Sequence, residues 1–102
     1  MSIFIRIHES SRKVVAVCDA DLLGKKFTEG MLQLDISDSF YGGRQMNHAQ
    51  AVKLMRQEIV DDATFNIVGK ESIKAAIEAD IIVDSEDSII KVQGIPHALS
   101  LL

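Results

Sequence analysis

Cys18, the only cysteine of this chain, is its residue best suited to nucleophilic chemistry. A cysteine becomes reactive when a nearby cation or a helix N-terminus lowers the pKa of its thiol. Asp19 and Asp21 follow Cys18 and would instead raise that pKa if their carboxylates lie close. The three histidines are far apart in sequence, so spacing does not support a Cys–His pair. We expect a buried thiol, and a small enzyme using Cys18 or His97 with Asp19 remains an alternative.

A glycine–lysine pair, Gly69-Lys70, resembles the end of a phosphate-binding P-loop. That motif requires serine or threonine directly after the lysine and a glycine five residues before the pair. Glu71 and Thr64 occupy those two positions, so the P-loop is excluded. Anion binding at this position remains a hypothesis, because Gly69 begins a predicted helix whose free N–H groups could hold an anion.

Metal and cofactor sites are not expected in this sequence. No pair of cysteine or histidine residues has the spacing of metal ligands. The acidic segment at residues 84–87 lacks the spacing and the glycine of an EF-hand loop. No dinucleotide-binding motif is present either.

The charge distribution bears on the kind of partner. The formal net charge is −4, and residues 45–102 carry all of it, with five basic and nine acidic side chains. An acidic chain gains little from the electrostatic attraction that drives non-specific nucleic-acid binding. Lys25 and Lys26 form a local basic patch that could contact RNA, although a solvated charged turn is the commoner role of such a pair.

The expected location is the cytoplasm. A lone cysteine cannot form an internal disulfide, which suits a reducing compartment. The sequence shows neither a signal peptide nor the ~20 apolar residues of a membrane span. A membrane partner is therefore not expected.

Several polar or aromatic residues occur where a core would not require them. Two aromatic residues precede two glycines in Phe40-Tyr41-Gly42-Gly43, so the rings either anchor a tight turn on the core or line a recognition surface. Asn66 interrupts an apolar run, which favours a bonded structural amide that fixes a turn over a ligand contact. His97 follows the only proline, Pro96, and a hydrogen-bonded structural histidine is the favoured interpretation. The Ile95–Pro96 bond is expected to be trans, with cis left open.

The elements that must position these residues follow from periodicity. Residues 47–60 form the clearest helix, with Asn47 as N-cap and Gln50 completing a variant capping box. A second helix fits residues 70–80. Segments 81–83 and 89–92 are expected to pair as a hairpin around an acidic loop, and residues 94–97 to interrupt regular structure. Alternating or continuous apolar runs predict further strands at residues 3–8, 13–18 and 32–36.

This order of elements predicts an α+β fold in a single domain over residues 1–102. The sheet is expected to be mixed or mainly antiparallel, with about four or five strands. Two main helices are expected to pack on one side of it.

Five segments, in this order, resemble an archaeal family known as domain of unknown function 424. They are Cys18-Asp19, Leu22-Leu23-Gly24-Lys25-Lys26-Phe27, Phe40-Tyr41-Gly42-Gly43, Asn66-Ile67-Val68-Gly69 and Gly94-Ile95-Pro96-His97-Ala98. The resemblance extends over about residues 3–99. It implies a small single-domain protein of the archaeal cytoplasm with no assigned enzyme activity and an association with translation or ribosome maturation. It implies no functional residues, because none is established for the family.

The favoured function is a non-catalytic binding or adaptor module with a protein or RNA partner. If the strands gather the loops, one surface holds the candidate residues Asp19, Lys25, Lys26, Tyr41, Gly42, Gly43, Asn66, Gly69 and His97. A further alternative is a self-associating structural protein, a homodimer paired through the apolar tail at residues 99–102 or through an open sheet edge.

Overall fold

The computed structural model of the protein describes residues 2–100. Within this range the chain forms eight strands and three α-helices, with a short 3-10 helix over Ala20–Leu22. In chain order the elements are β1 (Ile3–His8), β2 (Val14–Asp19), β3 (Lys26–Glu29), β4 (Leu32–Asp35), α1 (Asp38–Tyr41), β5 (Arg44–Met46), α2 (His48–Ile59), β6 (Thr64–Val68), α3 (Lys70–Glu78), β7 (Ile90–Val92) and β8 (Ile95–Ser100).

Six of the strands form one mixed sheet in the order β5-β1-β2-β6-β8-β7. The central pair, β2 and β6, is parallel, and every other neighbouring pair in this sheet is antiparallel. Strands β3 and β4 form a separate antiparallel hairpin. The α+β class and the mixed sheet are confirmed. The expected count of four or five strands is wrong: the sequence pattern did not reveal four of the strands, namely β3, β5, β6 and β8.

One face of the large sheet packs against α2 and α3. Alternation along each strand points Ile3, Ile5, Val15 and Val17 to this face, where they meet the apolar stripes of both helices. The prediction that the two main helices lie on one side is confirmed. Among the described residues, no helix is long and apolar enough to cross a membrane.

The opposite face carries a second apolar cluster under a thinner layer. Ala16 and Cys18 from β2 pack there against Tyr41 of α1 and Leu34 of β4. The β3–β4 hairpin is tied to the sheet by Gln93, whose backbone N–H donates to the Glu29 carboxylate. This layer positions Tyr41 over the sheet.

Helix α2 begins with the expected capping box. The backbone N–H of Gln50 donates to Asn47 Oδ1 at 2.9 Å, and the N–H of Asn47 donates to Gln50 Oε1 at 2.9 Å. These two bonds satisfy N–H groups that the helix itself leaves unpaired. The predicted N-terminus of α2 is confirmed.

The C-terminal hairpin differs from the expectation. Strands β7 and β8 pair around a two-residue turn, with φ of 50° at Gln93 and 78° at Gly94. Two positive φ values are typical of the type I′ turn that suits a two-residue hairpin. Residues 94–97 therefore turn the chain and start β8 instead of interrupting regular structure.

Pro96 is tolerated in β8 because no acceptor needs its missing N–H. The N–H of Gly69 donates to the Pro96 carbonyl at 2.9 Å, while the Gly69 carbonyl accepts the N–H of Ile73 in α3. The described chain contains no cis peptide bond, so the Ile95–Pro96 bond is trans as expected.

Residues 81–83 do not form the predicted strand. The N–H of Ile81 donates to the Ala76 carbonyl and that of Asp80 to the Ile77 carbonyl, with Asp80 at φ 63°. These two bonds form the Schellman motif that ends α3. Ile81 and Ile82 are buried against the helical layer as its C-terminal apolar contacts.

Candidate functional site

Three of the candidate residues form one hydrogen-bonded network. The Tyr41 hydroxyl donates to Asn66 Oδ1 at 2.7 Å, and His97 Nε2 lies 2.9 Å from the same oxygen. Because this amide oxygen only accepts, the His97 proton is on Nε2 and its Nδ1 is an acceptor. The network holds the imidazole in one orientation.

Strand alternation places the three side chains on one face. Asn66 lies in β6 between Phe65 and Ile67, which both point into the helical core. Asn66 therefore points to the opposite face, where α1 brings Tyr41 above it. Asn66 bonds to two side chains within a strand, so the expected role of fixing a turn is wrong, whereas the hydrogen-bonded histidine is confirmed.

Two apolar side chains flank the network on the same face. In the β6–β8 register Leu99 lies opposite Asn66, and in the β7–β8 register Ile90 lies opposite His97. Leu99 is 59% exposed and Ile90 is 54% exposed, although both belong to regular strands. Asn66 and His97 are each partly exposed beside them. We call Asn66, Ile90, His97 and Leu99 the open face.

Burial controls the protonation of two members of the network. Desolvation raises the pKa of Tyr41, helped by the nearby Cys18 thiol, so its hydroxyl keeps its proton and remains a donor. Desolvation lowers the pKa of His97, which favours the neutral imidazole. The open face therefore presents a neutral, oriented histidine between two aliphatic side chains.

Asp19 and Gly69 also meet, but for a structural reason. The Asp19 carboxylate accepts the N–H of Glu71 at 3.1 Å, the N–H of Ser72 at 2.8 Å and the Ser72 hydroxyl at 2.7 Å. It thereby caps α3, and it does not cap the 3-10 helix that follows it. The anion expected at the α3 N-terminus is the protein's own side chain.

Gly69 is the residue that makes this cap fit. Its φ is 107°, a conformation that L side chains rarely adopt, and a Cβ there would overlap the Asp19 carboxyl group. An apolar-rimmed groove of about 290 Å³ opens beside this cap, lined in part by Leu22, Ile95 and Pro96.

Cys18 has the environment of an inert thiol. Its side chain is fully buried in the second apolar cluster. Burial raises the pKa of Cys18 to about 12, with smaller contributions from the Asp19 and Asp21 carboxylates. The thiolate needed for nucleophilic attack is therefore strongly disfavoured at neutral pH, and Asp19 is engaged at the start of α3.

The remaining candidates do not join the network. Gly42 ends α1 and its carbonyl accepts from Arg6 at 2.7 Å. A Cβ on Gly43 would overlap the Ile5 carbonyl, so this glycine permits the close approach of β5 to β1. Lys25 and Lys26 are exposed at the start of β3, where Lys26 Nζ lies 4.0 Å from the Asp35 carboxylate.

Comparison with known proteins identifies the family of this chain. The family model "Protein of unknown function (DUF424)" matches residues 7–101. The chain belongs to the DUF424 family. The resemblance noted from the five motifs is confirmed.

A solved structure of an archaeal protein has the same architecture. It is described as an uncharacterized conserved protein from Methanopyrus kandleri and is 28% identical to this chain. The match covers 97% of this chain and 90% of that one, with a TM-score of 0.86. No curated protein matched the chain.

The sequence pattern did not indicate two residues of the open face, Ile90 and Leu99. Leu99 was grouped with an apolar tail whose last residues, Leu101 and Leu102, lie outside the described residues. Ile90 was assigned to a hairpin with the wrong partner strand. Ile95, His97 and Leu99 alternate with Pro96 and Ala98, and this period of two is the available sequence signal for β8. Pro96 obscured the signal, because proline within a run usually argues against a strand.

Proposed function

We propose that this DUF424 protein is a non-catalytic binding module that recognises another protein through its open face. The observation that carries the proposal is the row Ile90–His97–Leu99, contiguous by strand register and exposed on a sheet. Large aliphatic side chains left in water on regular strands favour an interaction surface, because their burial would release about 25 cal/mol per Å².

The network behind the open face supports recognition by a rigid surface. Tyr41 and Asn66 fix His97, so little side-chain entropy is lost when a partner covers it. The His97 Nδ1 acceptor offers one directional hydrogen bond between two aliphatic contacts. A partner that matches this row would present apolar side chains around a single donor.

Protein is the favoured partner class over RNA. The chain has a net charge of −4, and none of the four open-face residues is cationic. Stacking on single-stranded bases would require exposed aromatic rings, and this face has only the His97 imidazole. We expect the partner in the archaeal cytoplasm, among proteins of translation, as the family resemblance implies.

The proposal can be tested by affinity capture from an archaeal extract. Leu99→Glu should abolish capture of the partner, because it replaces one of the two aliphatic contacts beside His97 by a charge. Val60→Glu is the matched control, since Val60 is 81% exposed at the end of α2. Equal loss of partner capture in both variants, or undiminished capture by the Leu99→Glu variant, would contradict the proposal.

RNA binding through Lys25 and Lys26 makes a different prediction. Capture of RNA that weakens steeply with salt and is lost in the Lys25→Ala/Lys26→Ala double variant would identify the basic patch as the interface. RNA capture that changes neither with salt nor in the double variant would exclude the basic patch as the interface.

Self-association through the open face is distinguished by sedimentation. A homodimer that dissociates in Leu99→Glu but not in Val60→Glu would show that a second copy is the partner. A monomer at high concentration would remove that alternative.

A further inference from the structure

A groove runs along the outer edge of the large sheet, between β5 and α2. It has a volume of about 300 Å³, within the range of ligand-binding clefts. From α2 it is lined by Gln50, Lys53, Leu54 and Gln57. Their spacing of three and four residues places these four side chains on one face of the helix.

The strand that forms the other wall has an unpaired edge. Within residues 2–100, strand β5 is the last strand of the sheet, so it has a neighbour, β1, on one side only. Its three residues all line the groove. An edge strand of this kind is a template for pairing with another extended chain.

The register shows which backbone groups point outward. The Ser2 carbonyl accepts the N–H of Ala20, so alternate residues of β1 from Ser2 onward direct their N–H and C=O groups toward β2. Ile3 and Ile5 consequently face β5, where they lie opposite Met46 and Arg44. Gln45, opposite Phe4, must direct its N–H and C=O away from β1 and into the open edge.

The charge of the groove is opposite to that of the whole protein. Arg44 lies on the strand wall and Lys53 on the helix wall, and none of the described residues that line the groove carries a carboxylate. Arg44 lies opposite Ile5 and so shares the helical side of the sheet with α2. Met46 and Leu54 add apolar side chains to the lining of the groove.

We propose that this groove binds an extended acidic peptide segment of another protein, which adds to β5 as a further strand. The Gln45 N–H and C=O pair with the peptide backbone, alternate peptide side chains point toward α2, and acidic side chains meet Arg44 and Lys53. This is the geometry of peptide recognition by strand addition beside a helix. The groove lies on the helical side of the sheet, so the proposal is independent of the open face.

Two other occupants fit the observations less well. Single-stranded RNA would satisfy the cations, but it has no regular backbone donors and acceptors to pair with Gln45. A second copy paired through β5 would bring Arg44 and Lys53 of both copies to the same edge, where like charges repel. Both occupants give distinct results in the test below.

The experiment is a selection of random peptides displayed on phage against the immobilised intact protein. The enriched peptide is synthesised with a fluorescent label, and its affinity is measured by anisotropy for the wild type and for four variants. Arg44→Glu and Lys53→Glu should each weaken binding at least about tenfold. Lys91→Glu, an equal charge change at an exposed position of β7, should leave the affinity unchanged.

The fourth variant, Gln45→Pro, isolates the backbone contact. Proline is tolerated on an edge strand where its nitrogen faces solvent, so the sheet is retained while the outward donor is lost. We expect binding to weaken at least about tenfold. Should this variant fail to fold by circular dichroism, the same peptide N-methylated at alternate residues probes the contact from the other side.

The outcomes separate the occupants. Acidic enriched sequences, sensitive to all three groove variants or to N-methylation, support the proposal. Absence of enrichment over the Arg44→Glu/Lys53→Glu double variant, or binding indifferent to both Gln45→Pro and N-methylation, overturns it. Displacement of the peptide by oligouridylate with equal affinity would assign the groove to RNA, and a dimer lost in Gln45→Pro would assign the edge to a second copy.

Discussion

Replacing Asp19 by alanine should be among the most destabilising single changes in this protein. Asp19 is 5% exposed, and its carboxylate accepts three hydrogen bonds, two of them from Ser72, which is fully buried. The side chain comes from β2 and the donors from the start of α3. It therefore fixes the helical layer to the centre of the sheet.

The magnitude follows from the groups that would be left without partners. In Asp19→Ala the Ser72 N–H and hydroxyl lose their acceptor in a site closed to water, at about 1–3 kcal/mol each. The bond from the Glu71 N–H is only partly buried, so water can replace it. We expect a loss of about 4 kcal/mol in the free energy of unfolding. Asp19→Asn keeps one acceptor oxygen but loses the charge at the helix N-terminus, and should cost about 1–2 kcal/mol.

Urea denaturation followed by circular dichroism measures both changes. Asp21→Ala is the control, because Asp21 is exposed two residues along and should change stability by less than about 0.5 kcal/mol. A loss below about 1 kcal/mol for Asp19→Ala, or one equal to that of Asp21→Ala, would refute the cap as an anchor between layers.

Three more predictions concern the second apolar cluster and the network. Tyr41→Phe removes one hydrogen bond to Asn66 and should lower the free energy of unfolding by about 1 kcal/mol; an unchanged urea midpoint would argue against the bond. Because the pKa of His97 is lowered in the fold, stability should be full above about pH 6.5 and fall as the pH drops toward that lowered value. His97→Gln should flatten this pH dependence, and an identical profile for the variant would assign it to other groups. Cys18 should react with a thiol reagent only through unfolding, so its rate should rise with urea in parallel with the unfolded fraction; fast labelling of the native protein would contradict the buried, protonated thiol.

The parts of the fold that sequence predicted are those whose signals are local. Alternation in β1 specifies one buried face, and the Asn47–Gln50 pair specifies where α2 begins. The burial of Cys18 followed from its place in a nearly continuous apolar run. Each of these conclusions depends on residues within one turn or one strand.

The parts that failed depend on contacts between distant segments. A proline such as Pro96 usually indicates the end of a strand. It is acceptable in β8 because the Gly69 N–H donates to the Pro96 carbonyl, while the Gly69 carbonyl accepts from Ile73 and needs no donor from the proline. The apolar residues after α3 resemble a strand until the Schellman bonds to Ala76 and Ile77 are known. Local pattern does not contain this information.

The same division holds for the candidate site. Tyr41, Asn66 and His97 were singled out for their residue types, and the sheet brings them into one network. Asp19 was singled out equally well, yet its carboxylate is engaged by Ser72, some fifty residues away in sequence. Residue type was therefore enough to select these polar side chains. Only the three-dimensional contacts show that Asn66 and His97 are partly exposed on the sheet, whereas Asp19 is bonded internally to Ser72.

The most direct test of the open face is methyl NMR of the protein with its captured partner. The methyl resonances of Ile90 and Leu99 should shift on addition of the partner, while those of Val60 and Val83, which are also exposed, should stay in place. Shifts confined to Val60 or Val83, with Ile90 and Leu99 unaffected, would contradict recognition through this face.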